Sequence, residues 1–202
     1  GSGTGVTGED GGHHPCGGGI FVAGSSPTLS NLTVVGNEAW DGGGMFVTDA
    51  SAPTLSQVTI ADNTAADDGG GMYVWASALE IRHSRITGNE AHGEDGGGIV
   101  TKNGSTLTLA HAVVCGNSTP DDGGGIRVKD TTATLEHVVL CGNHAGDGGA
   151  SRSRTARRRP TTTTTRPRAT TTARGTTTAP RPSTPTAMAG TPARTATIQI
   201  RP

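Results

Sequence analysis

The sequence predicts an all-β protein: a right-handed parallel β-helix, or solenoid, of about five coils, followed by a disordered C-terminal tail. Three observations predict it. A glycine run recurs at nearly constant spacing, an asparagine recurs between the runs, and apolar residues stand at fixed distances before each asparagine. Helical repeats would show an apolar stripe at i, i+3 and i+4. Short alternating runs separated by Gly, Asn and Asp are instead typical of strands and turns.

The first landmark is Gly-Gly-Gly followed by Ile or Met. It occurs five times, with a partial copy at 148–150, and the successive intervals are 25, 27, 27, 27 and 25 residues. A propeller blade needs about 40 residues, so this unit fits one solenoid coil, whose strands pair in parallel with their copies about 4.8 Å away. Because parallel crossovers are right-handed, we expect a right-handed coil. The five runs occupy 17–20, 42–45, 69–72, 96–99 and 123–126.

The second landmark is an asparagine, usually preceded by glycine, with apolar residues three and eight positions before it. Stacked asparagines accept left-handed backbone geometry and can hydrogen-bond to their copies above and below. We therefore predict one ladder made of Asn37, Asn63, Asn89, Asn117 and Asn143. The predicted inward columns are Ile20, Met45, Met72, Ile99 and Ile126, and beside them Val22, Val47, Val74, Thr101 and Val128.

Charge and composition divide the chain into parts. All 17 Asp and Glu stand at or before Asp147 with only five Lys or Arg, a net charge of −12, whereas 11 Arg and no acid follow, a net charge of +11. We predict a lead-in at 1–15, β-helix repeats at 16–149 and a low-complexity basic Thr/Pro/Arg tail at 150–202. The tail has no periodic apolar face, so we expect disorder. Three explanations of it stay open: a stalk or linker, a segment that binds an anionic polymer, and a frameshift product that replaces a sixth coil.

No apolar run approaches the roughly 18 to 20 residues that a transmembrane helix needs, so we expect no transmembrane segment here. The chain begins Gly-Ser-Gly-Thr without Met or an apolar leader. We therefore take it to be a fragment or a mature product.

The alternation of Gly-Gly-Gly-Ile/Met with apolar-x-x-Asn resembles the repeats of chlamydial polymorphic outer-membrane proteins. It is also similar to the repeats of secreted bacterial pectin-lyase-like β-helix proteins. The resemblance covers residues 16–150 and implies export to the cell envelope or beyond, often with an adhesive role. The sequence departs from the chlamydial pattern in two ways. The Phe of Phe-x-x-Asn is replaced by Val, Ile or Leu, and no autotransporter barrel is present in the sequence.

The best candidate ligand surface is the outward side of the strand after each glycine run. Aromatic and basic residues alternate along it, and straight rows about 4.8 Å apart suit an extended polymer. The arrangement resembles that of pectin-lyase-like enzymes, which bind acidic polysaccharide along such a face. The basic residues would attract uronate or sulfate groups. The alternative is an aromatic ladder that only stabilises the sheet. The residues are Phe46, Tyr73, Trp75, Lys102, Arg127 and Lys129.

Three further columns could bind an ion or form a covalent bond. His83, His111 and His137 fall on consecutive coils, close enough for neighbouring imidazoles to share a metal; a solvated polar ladder is the alternative. The acids that precede the glycine runs, Asp41 to Asp147, should either have raised pKa values or attract Ca²⁺, unless solvent screens them. The nonapeptide of calcium-binding solenoids is absent, so we predict no cofactor. Cys115 and Cys141 share a column and form either a disulfide or stacked thiols.

These features predict an exported or cell-surface repeat segment, extracellular or at the outer membrane, with a structural or adhesive role. Its expected partner is a polysaccharide or a host or cell-surface ligand, and we expect no nucleic acid. The alternative is a pectin-lyase-like polysaccharide lyase or hydrolase, which would need carboxylates clustered with an Arg over one coil face. We predict no catalytic residue.

Overall fold

The computed structural model describes residues 4–7, 13–147, 151–153 and 196–198, and side chains over 14–146. Every regular element in this part is a β-strand, and none of its elements is a helix long and apolar enough to cross a membrane. Four strands follow one another in each coil and belong to four different sheets. We number the strands β1 to β24 in chain order and the sheets 1 to 4 in the order in which a coil visits them.

Sheet 1 follows the glycine runs and contains β3 (Ile20–Ala23), β7 (Met45–Thr48), β11 (Met72–Trp75), β15 (Ile99–Lys102), β19 (Ile126–Val128) and β23 (Ser151–Ser153). Sheet 2 contains β4 (Thr28–Ser30), β8 (Thr54–Ser56), β12 (Ala78–Arg82), β16 (Thr106–Ala110), β20 (Thr132–Glu136) and β24 (Ala196–Ile198). Sheet 3 contains β5 (Thr33–Val35), β9 (Thr59–Ala61), β13 (Arg85–Thr87), β17 (Val113–Cys115) and β21 (Val139–Cys141). Sheet 4 contains β6 (Glu38–Ala39), β10 (Thr64–Ala65), β14 (Glu90–Ala91), β18 (Ser118–Asp122) and β22 (His144–Asp147).

Each strand pairs in parallel with its copy in the next coil. Met45 is opposite Met72, and Met72 is opposite Ile99, so the glycine-run spacing in the sequence is the register of sheet 1. Over 17–147 the chain makes five coils stacked as a parallel β-solenoid, which confirms the predicted fold class. Among the described strands, two pairings are antiparallel: β1 (Thr4–Thr7) with β2 (His13–Cys16), and β24 with β20.

The main core fills the inside of the solenoid. Both predicted inward columns lie there, and Met45, Met72 and Ile99 have no exposed surface. One member is polar: Thr101 is fully buried, and its hydroxyl lies 3.0 Å from the hydroxyl of Thr131, so the two satisfy each other. The first coil is less covered, because Ile20 and Leu29 are only partly buried.

The glycines of each run are required by the backbone path. The first has positive φ, as in Gly42 at 60°, which residues with a side chain rarely adopt. The second and third are crowded by the backbone that stacks on them, since a Cβ on Gly43 would clash with the carbonyl oxygen of Thr64 and one on Gly44 would lie 2.6 Å from that of Gly71. The run therefore turns the chain and also lets successive coils approach closely.

The asparagine ladder is confirmed and lies inside the solenoid. The side-chain Nδ2 of Asn63 donates to Oδ1 of Asn89 at 2.9 Å, and Asn89 repeats this bond to Asn117 at 2.9 Å. The expected left-handed geometry belongs instead to the residue before each asparagine, such as Gly88 at φ 65° or Asp62 at φ 52°. The reason is that the preceding residue makes the turn, which leaves the asparagine free to point its amide inward.

The predicted tail at 150–202 is only partly described. Its described residues are the two short strands β23 and β24, which extend sheets 1 and 2. The rest of the tail, where disorder is expected, lies outside the described residues, as do 148–150 at the partial sixth glycine run.

Candidate functional site

The predicted binding row on sheet 1 points outward, but most of it is covered. Phe46, Tyr73, Lys102 and Arg127 are all buried, and only Trp75 and Lys129 are half-buried. The expectation that the whole row faces solvent is therefore corrected. The aromatic part is a stacked ladder, with ring centroids 5.1 Å apart for Phe46 and Tyr73.

The cover is the turn that leads into each strand of sheet 1. The Asp-Gly segment folds back over the outward side chains, so that a Cβ on Gly69 would lie 3.1 Å from Cβ of Tyr73. This builds a second, smaller core outside the solenoid wall, formed by Cys16, Phe46, Tyr73 and Val100, with Phe21 and Trp75 partly buried against it. Sequence alternation identifies the outward residues but carries no sign of the segment that covers them.

Two of the three basic residues of the row, Lys102 and Arg127, are neutralised by the acid column. Lys102 Nζ lies 2.5 Å from Asp68 and 3.6 Å from Asp95, and Arg127 lies 3.0 Å from both Asp95 and Asp122. All five side chains are nearly inaccessible. Neither cation is available to attract an acidic polymer, because its charge is balanced inside the protein.

Within the described side chains of the acid column, Asp41, Asp68, Asp95 and Asp122 are buried rather than screened by solvent. Burial, with the Asp68 carboxylate next to it, raises the pKa of Asp41 to about 7, and burial raises the pKa of Asp68 to about 6 despite Lys102. Cys16 occupies the acid slot of the first coil, where burial raises the pKa of its thiol to about 12. The thiol donates to Asp41 at 3.8 Å.

Carboxylates gather in threes at successive turns, the oxygens of each three lying within 4.8 Å of one another. Calcium prefers such oxygen ligands, but Lys102 and Arg127 bind the same oxygens and compete for them. The three groups are Asp41, Asp67 and Asp68; Asp68, Glu94 and Asp95; and Asp95, Asp121 and Asp122.

The structure aligns the predicted histidine column as a stack of exposed rings. The centroids of His83 and His111 are 5.0 Å apart, and those of His111 and His137 are 4.7 Å apart, with the planes within 7° of parallel. The histidines occupy a left-handed turn position between sheets 2 and 3, with φ near 50° in each. Within the described side chains, groups of three close ligand atoms are formed by carboxylates and include no histidine.

Of the two cysteine alternatives, the structure has the disulfide. Cys115 on β17 and Cys141 on β21 are directly opposite in sheet 3, with their Cα atoms 4.6 Å apart, and their sulfurs are bonded. The bond joins coils four and five through a loop of 26 residues.

Sequence reasoning missed an open cleft on the outward side of sheet 4. It spans β14, β18 and β22, has a volume of about 420 Å³ and presents polar groups from three adjacent strands. The signal was in the columns one and three positions after each asparagine, which the repeat register would have aligned. The lining residues are Glu90, Ala91, His92, Ser118, Thr119, Pro120, His144 and Gly146.

The comparison with known families agrees with this architecture. The family described as right-handed beta helix region matches residues 12–155, which is more than half of the chain. This chain belongs to the right-handed β-helix family. The handedness predicted from parallel crossovers is thus the handedness of the family. No curated protein and no solved structure matches the chain significantly.

Proposed function

We propose that this β-helix chain is an exported repeat segment at the cell surface that binds an extended polysaccharide along the outward side of sheet 4. The observation that carries the proposal is the open cleft across β14, β18 and β22. Its walls come from three strands in register, about 4.8 Å apart, so equivalent positions repeat at nearly the length of one sugar unit. An open, elongated strip of this kind suits a chain better than a compact small molecule.

The chemistry of the cleft favours sugar hydroxyls. Glu90 supplies a carboxylate acceptor, Ser118 a hydroxyl, and His92 and His144 supply imidazoles. Each of these groups forms hydrogen bonds with hydroxyls, and Pro120 adds an apolar surface. His92 Nε2 lies 3.5 Å from Glu90, so the two side chains already form a polar pair.

The charges favour a neutral polysaccharide over the acidic one expected from sequence. The electrostatic case for an acidic polymer relied on Lys102, Arg127 and Lys129, and the first two pair with Asp68, Asp95 and Asp122 inside the protein. The cleft itself contributes the carboxylate of Glu90. Repulsion between this carboxylate and uronate groups would weaken binding of an acidic chain.

Two observations support export. A disulfide such as Cys115–Cys141 forms and persists mainly in oxidising compartments outside the cytosol. The resemblance of the repeats to chlamydial polymorphic outer-membrane proteins and to secreted pectin-lyase-like proteins agrees with an extracellular or outer-membrane location. The ligand would then be a wall, capsule or host-surface glycan.

The lyase or hydrolase alternative has less support. A carboxylate cluster with an arginine does exist, formed by Asp95, Asp122 and Arg127, but only 3% of the Arg127 side chain is exposed. A polymer cannot reach these groups without opening the turn. We therefore prefer a binding role to a catalytic one.

Affinity gel electrophoresis of the full chain tests the proposal, with neutral β-glucan, neutral mannan and acidic polygalacturonate as the immobilised glycans. We expect a neutral glycan to retard the protein, and Glu90→Gln with His144→Ala to weaken binding roughly tenfold. The control is Glu80→Gln, a half-buried acid on sheet 2. Absence of binding to all three glycans would overturn the proposal. If Trp75→Ala abolished glycan binding while the Glu90→Gln, His144→Ala variant bound as the wild type does, the binding site would lie on sheet 1 instead.

A further inference from the structure

The turn between sheets 2 and 3 holds the exposed histidine stack, which the proposed polymer-binding role does not use. The backbone fixes the spacing of the rings, because the amide of His83 donates to the Ala110 carbonyl at 3.0 Å and the amide of His111 donates to the Glu136 carbonyl at 2.9 Å. The side chains themselves are exposed, so each ring can rotate. The stack combines a rigid base with adjustable ligand groups.

The surrounding charges are not equal along the stack. Arg82 and Arg85 flank His83 in sequence and are exposed. At the other end, Nδ1 of His137 lies 3.7 Å from Oε1 of Glu136. This distance is longer than a hydrogen bond, so Glu136 acts through its negative charge, which attracts a cation, while Nε2 of His137 serves as the ligand atom. The cations disfavour a bound metal ion near His83, and the carboxylate favours one near His137.

We propose that His111 and His137 form a surface site for a divalent transition-metal ion that prefers imidazole, such as Zn²⁺, Ni²⁺ or Cu²⁺, with His83 as an accessory ligand. Two imidazole nitrogens about 2.0 to 2.1 Å from a tetrahedral ion stand about 3.4 Å apart. The ring centroids of His111 and His137 are 4.7 Å apart, so a tilt of each exposed ring brings the nitrogens to that separation. Water completes the coordination.

A bound ion would act as a clip between two coils. His111 and His137 lie on coils four and five, the pair that Cys115–Cys141 also joins, and each bond spans 26 residues. The disulfide is covalent, whereas the metal clip would depend on the concentration of free metal.

Isothermal titration of the full chain with ZnCl₂, and separately with NiCl₂, at pH 7.5 tests the site. The informative variant is His111→Asn, since asparagine accepts the left-handed backbone of this position and Asn31 already occupies it in the first coil with φ 55°. The control is His92→Asn, an exposed histidine directly after β14. We expect about tenfold or greater loss of affinity in His111→Asn and no change in His92→Asn.

Two further measurements complete the design. Saturating Zn²⁺ should raise the melting temperature of the wild type and of His92→Asn but not that of His111→Asn, because a ligand that binds the folded state stabilises it. Excess Ca²⁺ should leave Zn²⁺ binding unchanged if the ligands are imidazoles rather than the carboxylate groups. Absence of Zn²⁺ and Ni²⁺ binding, unchanged affinity in His111→Asn, or displacement of Zn²⁺ by Ca²⁺ would each overturn the proposal.

Discussion

At the scale of single residues, the turns into sheet 1 concentrate the unusual chemistry of this protein. Buried carboxylates stack there from coil to coil. Lys102 and Arg127, on adjacent strands of sheet 1, neutralise Asp68, Asp95 and Asp122. Asp41 differs from the others, since no Lys or Arg of the described side chains lies within ion-pair distance of it. The cost of ionising a carboxylate therefore differs between Asp41 and the paired aspartates of the same column.

Asp41 should make the protein less stable as the pH rises. Its pKa in the folded protein is about 7, against an ordinary value of 3.8. The folded state therefore binds more protons than the unfolded state between these values, and stability falls as pH rises through this window. We expect Asp41→Asn to remove this loss, an effect on the order of a few kcal/mol at pH 8 and close to zero at pH 4.

Urea unfolding from pH 4 to pH 8 measures this difference between the wild type and Asp41→Asn. Asp62→Asn is the control, because Asp62 is exposed and asparagine accepts its left-handed backbone. A constant difference between the wild type and Asp41→Asn at all pH values would contradict the titration of Asp41.

The folded state should depend on Lys102, because this buried side chain compensates the charges of Asp68 and Asp95. Lys102→Met removes the partner that lies 2.5 Å from Asp68 and leaves the Asp68 and Asp95 carboxylates less compensated. Breaking a buried pair in this way costs about 3 to 5 kcal/mol. Denaturant unfolding at pH 7.5 should show this loss, and Asp68→Asn in addition should recover part of it.

The half-buried Lys129 provides the comparison, since it stands one coil below Lys102 in the same column. Lys129→Met should change the unfolding free energy by only about 0.5 kcal/mol. Equal losses for the two lysines would show that the buried ion pairs are not the source of the effect.

At the scale of elements, the asparagine ladder adds a continuous row of side-chain hydrogen bonds to the backbone bonds between successive coils. Asn89 donates from its backbone N and its side-chain Nδ2 to Asn117 Oδ1, each at 2.9 Å, and its Nδ2 also donates to the Ile60 carbonyl at 3.0 Å. Its own Oδ1 accepts two bonds from Asn63. The ladder places a continuous row of satisfied amides at the edge of an apolar core.

Asn89→Ala should therefore cost more than an ordinary side-chain deletion. The change leaves the buried amide groups of Asn63 without their acceptor, and each unpaired buried group costs about 1 to 3 kcal/mol. Hydrogen exchange should report faster opening of the amides of Asn63 and Asn89 than in the wild type. Thr87→Ala, a change on the neighbouring β13 outside the ladder, is the control; if it matched the Asn89→Ala loss, the ladder would not be the cause.

At the scale of the whole molecule, each coil contacts mainly its neighbours, so the solenoid should tolerate loss of a coil better than damage within one. Deleting 42–68 would join the first coil to the third. Asn37 would then stack on Asn89, and Asp41 would take the place of Asp68 beside Lys102. The deletion keeps every column, including the charge pairing.

The matching prediction compares this deletion with Met72→Asp. Met72 is fully buried, so the new carboxylate would be desolvated without a partner. We expect circular dichroism to show a strand-rich folded protein for the 42–68 deletion and loss of cooperative folding for Met72→Asp. A folded Met72→Asp protein, or an unfolded deletion, would contradict this nearest-neighbour view of the fold.

The sequence by itself determines the coil, its register and its inward columns. In a parallel solenoid the same offset along the chain gives the same place in every coil, so repeat spacing translates directly into stacking. For that reason the repeat spacing alone aligns Cys115 with Cys141, and it likewise aligns the histidine column and the asparagine ladder.

Only the tertiary structure decides which outward columns meet solvent. Alternation along a strand shows that Phe46, Tyr73 and Arg127 point away from the main core, but it cannot show that a turn from the same coil covers them. The covering turn follows from the positive φ of the first glycine in each run, and it encloses the ion pairs of Lys102 and Arg127 with the aspartates. In the part of the chain that the structure describes, no such turn folds over Glu90 and His144, so the cleft on sheet 4 is open. Exposure is thus a property of the path between strands, which periodicity does not encode.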